Sequence, residues 1–148
     1  MARPLTEQER QAFLREPHVA TFSVASDDER PPLTVPVWYA YLDDDTLFFF
    51  TGEDGPVRKT RLIRTAGVVS LSVQQPELPY KFVTVEGTVV QFHEPPSREQ
   101  MVSVVRRYLP EDAAQAYVQR VIDVSDPSLI GFTIRPDRWI SLDFTGDL

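Results

Sequence analysis

Cysteine is absent from the 148 residues, which excludes disulfides, thiolate metal sites and a cysteine nucleophile. Histidine is almost absent: His18 and His93 are the two imidazoles, too few for a multi-histidine zinc centre, and no metal site is expected. Lysine is scarce as well. Lys59 and Lys81 are the two lysines among fifteen basic residues, so thirteen are arginine, a bias of the kind GC-rich genomes produce. No apolar run approaches the roughly 18 residues needed to span a bilayer. The opening Met1-Ala2-Arg3-Pro4 is followed by polar residues and not by a signal-peptide core. The net charge of −7 opposes broad contact with a phosphate backbone. These absences lead to the expectation of a soluble, cytoplasmic protein that engages neither nucleic acid nor membrane. Internal repeats are missing, and so are a Walker loop and a G-x-S-x-G elbow. Asp43-Asp44-Asp45 lacks the glycine and later glutamate of a calcium loop and reads as a hairpin turn.

What is present is the composition of one globular domain over residues 1–148, 42% hydrophobic and 25% charged. Thr6 and Glu9 have capping-box spacing, so Thr6 to Arg15 reads as a helix ended by Pro17. Strands are expected over His18–Ser26, Leu33–Leu42 and Thr46–Thr51, with Pro36 at an edge or a bulge because it cannot donate to a ladder. Gly52 to Pro56 breaks the chain, and a basic helix runs from Val57 to Arg64 with Pro56 at its first position. Val69, Leu71 and Val73 alternate with serines in a strand over Gly67–Gln74. A long strand, Tyr80 to Phe92, has Gly87 as a bulge or kink. Ser97 and Gln100 form a second capping box, opening a helix that carries Met101, Val104, Val105 and Tyr108. Pro110 restarts a helix through Ile122, and two last strands, Ile130–Ile134 and Trp139–Phe144, are hinged at Pro136-Asp137. Seven short strands with helices between hairpins predict a mainly β fold, an antiparallel barrel and not a parallel sheet.

The stretch with most chemistry is Thr51 to Arg64, where a strand ends on threonine, a glycine-containing loop follows, and Arg58 and Lys59 open a helix. Helix N-termini attract anions, so two cations there cost a few tenths of a kcal/mol unless something anionic is bound. Phosphate binding and a solvated basic helix balanced by Glu53 and Asp54 both account for the spacing. A second candidate is Val35-Pro36-Val37-Trp38-Tyr39. There the proline leaves neighbouring backbone groups free for a planar ligand, and the two aromatics point to opposite faces. An edge strand with core aromatics fits that pattern equally. Arg138 and Trp139 read either as an anion and ring clamp or as a core tryptophan beside a surface arginine.

At Phe50-Thr51, Val57-Arg58-Lys59 and the strand after them, the chain resembles the pyridoxamine 5′-phosphate oxidase-like split-barrel flavoprotein superfamily, from Phe13 to Asp143. The resemblance implies an antiparallel split β-barrel of about six to seven strands with short helices. It also implies a homodimer with the cofactor at the subunit interface, and a cofactor phosphate held by Thr51, Arg58 and Lys59 beside Phe50. Val57 stands where the family has a small hydroxyl residue. The basic second strand and basic, histidine-containing C-terminal motif of the oxidases proper are replaced here by Val35–Ala40 and Asp137–Ile140, which points away from vitamin B6 oxidation. The P-V-W-Y strand, the R-K-T-R-L-I-R helix and Val83–Thr88 look more like the branch that uses the deazaflavin coenzyme F420. That branch implies an oxidoreductase passing hydride between F420 and a small unsaturated organic substrate, with Val35, Pro36, Val37 and Trp38 flanking the ring. The alternatives are an FMN-binding member of the fold and a protein that binds flavin or deazaflavin without catalysis. No catalytic residue is assigned, and Tyr39 and Tyr80 are the tyrosines considered as proton donors.

Overall fold

The computed structural model describes residues 1–51, 57–125 and 129–148. Its elements in chain order are α1 (Glu7–Arg15), β1 (Ala20–Val24), β2 (Leu33–Val37), β3 (Ala40–Tyr41), β4 (Leu47–Thr51) and α2 (Val57–Ala66). There follow β5 (Val68–Gln74), β6 (Lys81–His93), α3 (Arg98–Val105), α4 (Glu111–Ser125), β7 (Ile130–Asp143) and a 3-10 turn over Thr145–Asp147. The expected loop over Gly52–Pro56 lies outside the described residues. No helix among the described residues is long and apolar enough to cross a membrane.

Both capping boxes form. Thr6 Oγ1 accepts from the Glu9 amide at 3.2 Å, and Glu9 Oε1 accepts from the Thr6 amide at 2.9 Å. Ser97 and Gln100 repeat the exchange at 3.0 and 2.8 Å. Such pairs satisfy two of the four orphan amides at each helix start.

The seven strands form one antiparallel sheet in the order β2-β1-β5-β6-β7-β4-β3. Its two edges are consecutive in sequence. From Val37 on one edge to Ala40 on the other the chain takes three steps, at most about 11 Å. The sheet therefore curls until its edges nearly meet, and Phe22 of β1 touches Phe49 of β4 with ring centroids 5.0 Å apart. This curled sheet is the split barrel. Leu47, Phe49, Phe22, Leu71, Val85, Phe132 and Ile134 fill it, together with Phe13 and Leu14 of α1 and Leu62 and Ile63 of α2. A second layer, α3 and α4, packs outside on Phe48 and Phe50. Hence β4 is apolar from Leu47 to Phe50: both of its faces are covered.

Three expectations change in detail. The strand expected over Leu33–Leu42 is two strands on opposite edges, because Trp38 and Tyr39 leave the ladder to cross between them. The two expected last strands are one, β7. Its break at Pro136-Asp137 is absorbed as a bulge: Gly87 pairs with Pro136 and Glu86 with Arg138, leaving Asp137 as the extra residue. Tyr108 lies beyond the end of α3, in the turn toward α4.

Pro36 sits on an edge strand, and Gly87 sits at the bulge, both as the sequence predicts. A Cβ on Gly87 would stand 2.5 Å from Ile134 Cγ2 and 2.7 Å from the Arg135 carbonyl oxygen. Backbone cannot yield as a side-chain tip does. Gly87→Ala is expected to lower stability by about 1–3 kcal/mol in urea denaturation, as overpacking does.

His93 joins the two layers. Gln100 Oε1 is committed to the Ser97 amide, so its Nε2 faces His93 Nδ1 at 3.3 Å. The network thus assigns Nδ1 as acceptor and Nε2–H as donor to Thr133 Oγ1 at 2.8 Å. Burial holds the imidazole below its ordinary pKa of 6.5. The folded state therefore binds fewer protons here than the unfolded chain. The contribution is complete above pH 6.5 and is lost as pH falls through the window beneath it. Urea midpoints at pH 7.5 and 5.5 are expected to fall more for the wild type than for His93→Gln.

Candidate functional site

The candidate residues stand at the end of β4 and in the first turn of α2. Thr51 follows Leu47 and Phe49 at two-residue spacing, so it shares their barrel-facing side and stands at the end of the row. Its side chain is buried, and Oγ1 has no hydrogen-bond partner among the described residues. Phe50 alternates to the other face and packs under α3 and α4.

α2 carries four cations and no acid in its first turn. Lys59, Leu62, Ile63 and Ala66 fall at i, i+3, i+4 and i+7, one stripe of the helix. Leu62 and Ile63 are fully buried in the barrel, so Lys59 lies on the core-facing stripe at the first turn and is half-buried. Burial lowers the pKa of its ammonium. The three arginines have partners. Arg58 Nη2 donates to Ser26 Oγ at 2.8 Å, Arg61 pairs with Asp27, and Arg64 pairs with Glu94 while covering the Phe92 ring at 4.4 Å. Arg58 Nε is buried and unpartnered, and Lys59 has no carboxylate within salt-bridge distance among the described residues. A buried hydroxyl at the end of β4, and a buried guanidinium N–H with a half-buried ammonium at the start of α2, are each donors of the kind that a phosphate or similar anion takes. Of Val57, only its place as the first residue of α2 is described.

Ser26 and Asp27, which hold Arg58 and Arg61, were not singled out in the sequence. They lie more than 30 residues from their partners, in a turn whose polarity looks like that of any turn. Ser26 also donates to the Pro31 carbonyl at 2.7 Å, so one hydroxyl ties the β1–β2 turn to α2.

The second candidate stretch divides by face. Val35 and Val37 pack against the barrel core, while Pro36 is exposed on the outer surface. Across the sheet Pro36 pairs with Thr21, Thr21 with Ser72, and Ser72 with Thr84. The row is small and hydroxylic, with Thr84 Oγ1 donating to Ser72 Oγ at 2.8 Å, and it makes a shallow outer face. Trp38 turns into the helical layer, stacked on Tyr108 with centroids 4.7 Å apart and planes 10° apart. Tyr39 is fully buried. Its hydroxyl donates to the Leu14 carbonyl at 2.8 Å, and burial pushes its pKa up to about 12, so it is not placed to give a proton to a substrate. Tyr80 is 52% exposed. Arg138 and Trp139 do not form a clamp: Trp139 carries the Arg10 guanidinium at 4.3 Å, whereas Arg138 reaches Glu86 at 3.8 Å. The described residues contain no cluster of three or more metal-ligating side chains.

Comparison with known proteins gives the fold a lineage. A conserved hypothetical protein of Mycobacterium tuberculosis superposes with a TM-score of 0.76 at 22% identity, covering 97% of this chain and 89% of the other. A FAD-binding protein of Mesorhizobium loti gives 0.64 at 24% identity, with 97% and 96% covered. An F420 reductase gives 0.66 at 21% identity, with 88% and 94% covered. At these identities the likeness is one of fold. No curated protein matches the sequence. The family model described as pyridoxamine 5′-phosphate oxidase matches residues 6–141, nearly the whole chain, and spans both the Thr51 strand end and the Arg58-Lys59 helix start. The chain belongs to the pyridoxamine 5′-phosphate oxidase family.

Proposed function

We propose that the protein is an oxidoreductase that binds a phosphate-bearing deazaflavin, coenzyme F420, and passes hydride between it and a small, flat, unsaturated organic substrate. The observation that carries the reading is the pair of Thr51 Oγ1 and Arg58 Nε, buried polar atoms with no partner among the described residues, with the half-buried Lys59 ammonium on the same helix turn as Arg58. Unpaired buried polar groups cost about 1–3 kcal/mol each, and a bound anion removes that cost. When bound, the deazaflavin supplies the hydride from C5.

The chain's own residues bind and orient. Lys59 and Arg58 neutralise the phosphate, and Thr51 donates its hydroxyl to it. Val35 and Val37 stiffen the edge strand from within, and Pro36 presents an outer surface free of ladder hydrogen bonds for the ring. Trp38 supports that strand through its stack on Tyr108. A homodimer with the cofactor at the subunit interface belongs to the same proposal, and the shallow hydroxylic face beside Pro36 is suited to being covered. The likeness in fold to an F420 reductase supports the deazaflavin. A second reading, FMN as the cofactor, draws support from the likeness in fold to a FAD-binding protein, whose ligand is also a flavin.

Fluorescence titration of ligand-free protein with F420 and FMN side by side tests both. Binding of the deazaflavin alone is the expected result. Preference for FMN replaces the first reading with the second, and binding of neither removes both. Binding without turnover of any hydride acceptor identifies a non-catalytic carrier.

A further inference from the structure

Arg107 and Tyr108, in the turn between α3 and α4, make contacts far from their own helices. Arg107 donates to the carbonyls of Leu14 and Glu16, each at 2.8 Å, and to that of Tyr39. Its guanidinium lies over the Tyr39 ring at 4.4 Å. The Tyr108 hydroxyl donates to the His18 carbonyl at 2.7 Å and accepts from the Tyr39 amide at 3.2 Å, while its ring stacks on Trp38. Two adjacent side chains therefore satisfy five backbone groups on three segments: the end of α1, the entry to β1, and the Trp38–Tyr39 crossover. The crossover is where the two edges of the sheet approach, and it has no ladder of its own. Without these partners the amide and carbonyl of the buried Tyr39 would lose the hydrogen bonds that match them.

We propose that Arg107 and Tyr108 are positioning residues for cofactor binding, fixing the Trp38–Tyr39 crossover and thereby the setting of Val35–Val37 at the split of the barrel. The inference rests on the cofactor reading for its functional half, and on the hydrogen bonds above for its structural half. A guanidinium is suited to the task because its forked donors reach several carbonyls at once, which a single ammonium does less well.

The test compares wild type, Arg107→Met, Arg107→Lys and Tyr108→Phe by native-state amide exchange and by titration with FMN and F420. Tyr108→Phe keeps the ring on Trp38 and deletes only the hydroxyl, so it serves if Arg107→Met does not fold. The expected result is faster exchange over Val35–Tyr41, with β5 and β6 protected as in the wild type. The Kd of whichever cofactor the wild type binds is expected to rise about tenfold, the cost of a binding strand no longer preorganised. Arg107→Lys is expected to recover part of both. A wild-type Kd despite a loosened crossover overturns the positioning role. Faster exchange spread evenly over β5 and β6 also overturns it, since that is general destabilisation. If the wild type binds neither cofactor, the cofactor reading fails, and with it the functional half; exchange confined to the crossover then still upholds the structural clamp.

Discussion

Replacing Lys59 by alanine is expected to weaken binding of the phosphate-bearing cofactor by about 1.5–3 kcal/mol, the worth of a hydrogen bond to a charged group, or roughly ten- to 150-fold in Kd. The same change is expected to leave the ligand-free protein as stable as before, or more so. Lys59 stands on the core-facing stripe of α2, half-buried, and burial depresses its pKa. The unfolded chain therefore binds the proton more tightly than the folded one. The associated destabilisation is present at neutral pH and is relieved as pH rises through the folded pKa toward the ordinary 10.5. A bound anion reverses the balance, because it favours the charged ammonium. Opposite signs for binding and ligand-free stability are what separate a poised ligand from a structural cation. Thr51→Val should behave alike on a smaller scale. It deletes a buried hydroxyl that has no partner among the described residues and weakens binding by about 0.5–1.5 kcal/mol. Thermal melts with and without cofactor, together with the titration, read both effects. An unchanged Kd in a folded Lys59→Ala protein removes Lys59 from the site.

Phe132→Ala is expected to cost about 3–5 kcal/mol, the range for deleting a buried ring from a core. Phe132 is fully buried, with ring centroids 5.0 Å from Phe49 and 5.5 Å from Phe92, and Phe49 in turn reaches Phe22. These four rings come from β7, β4, β6 and β1 and tie strands from both halves of the curled sheet. Neighbouring side chains are held by a continuous ladder and cannot collapse into the space. For a chain of this length the melting temperature should fall by about 6–20 °C. A loss below about 1 kcal/mol would show that the rings do not hold the barrel closed.

Much of this protein was legible in the sequence wherever the deciding interaction spans three or four residues. The capping boxes at Thr6 and Ser97 are of that kind, because the donor and acceptor lie within one helical turn. So are the alternation of Val69, Leu71 and Val73, the edge position of Pro36 and the bulge at Gly87. At the candidate site, the position of Thr51 at a strand end and of Arg58 and Lys59 at a helix start was readable, since strand ends and helix ends follow from local pattern. Even the stripe of Lys59, Leu62 and Ile63 is written in the spacing.

The tertiary structure decided everything that depends on distant partners. Nothing near Trp38 in sequence tells that its face goes to Tyr108, or that the Tyr39 amide is matched by a hydroxyl 69 residues away. A run of alternating residues from Leu33 to Leu42 reads as one strand, and only closure of the sheet makes it the bridge between two edges. Conversely, Pro136-Asp137 looks like an interruption, yet pairing with β6 carries β7 across it, because one extra residue fits a bulge. Which of the four cations on α2 have partners was likewise decided outside the helix, by Ser26, Asp27 and Glu94. Local sequence sets which conformations a segment prefers; which charges are neutralised and which edges meet depends on chain closure over many tens of residues.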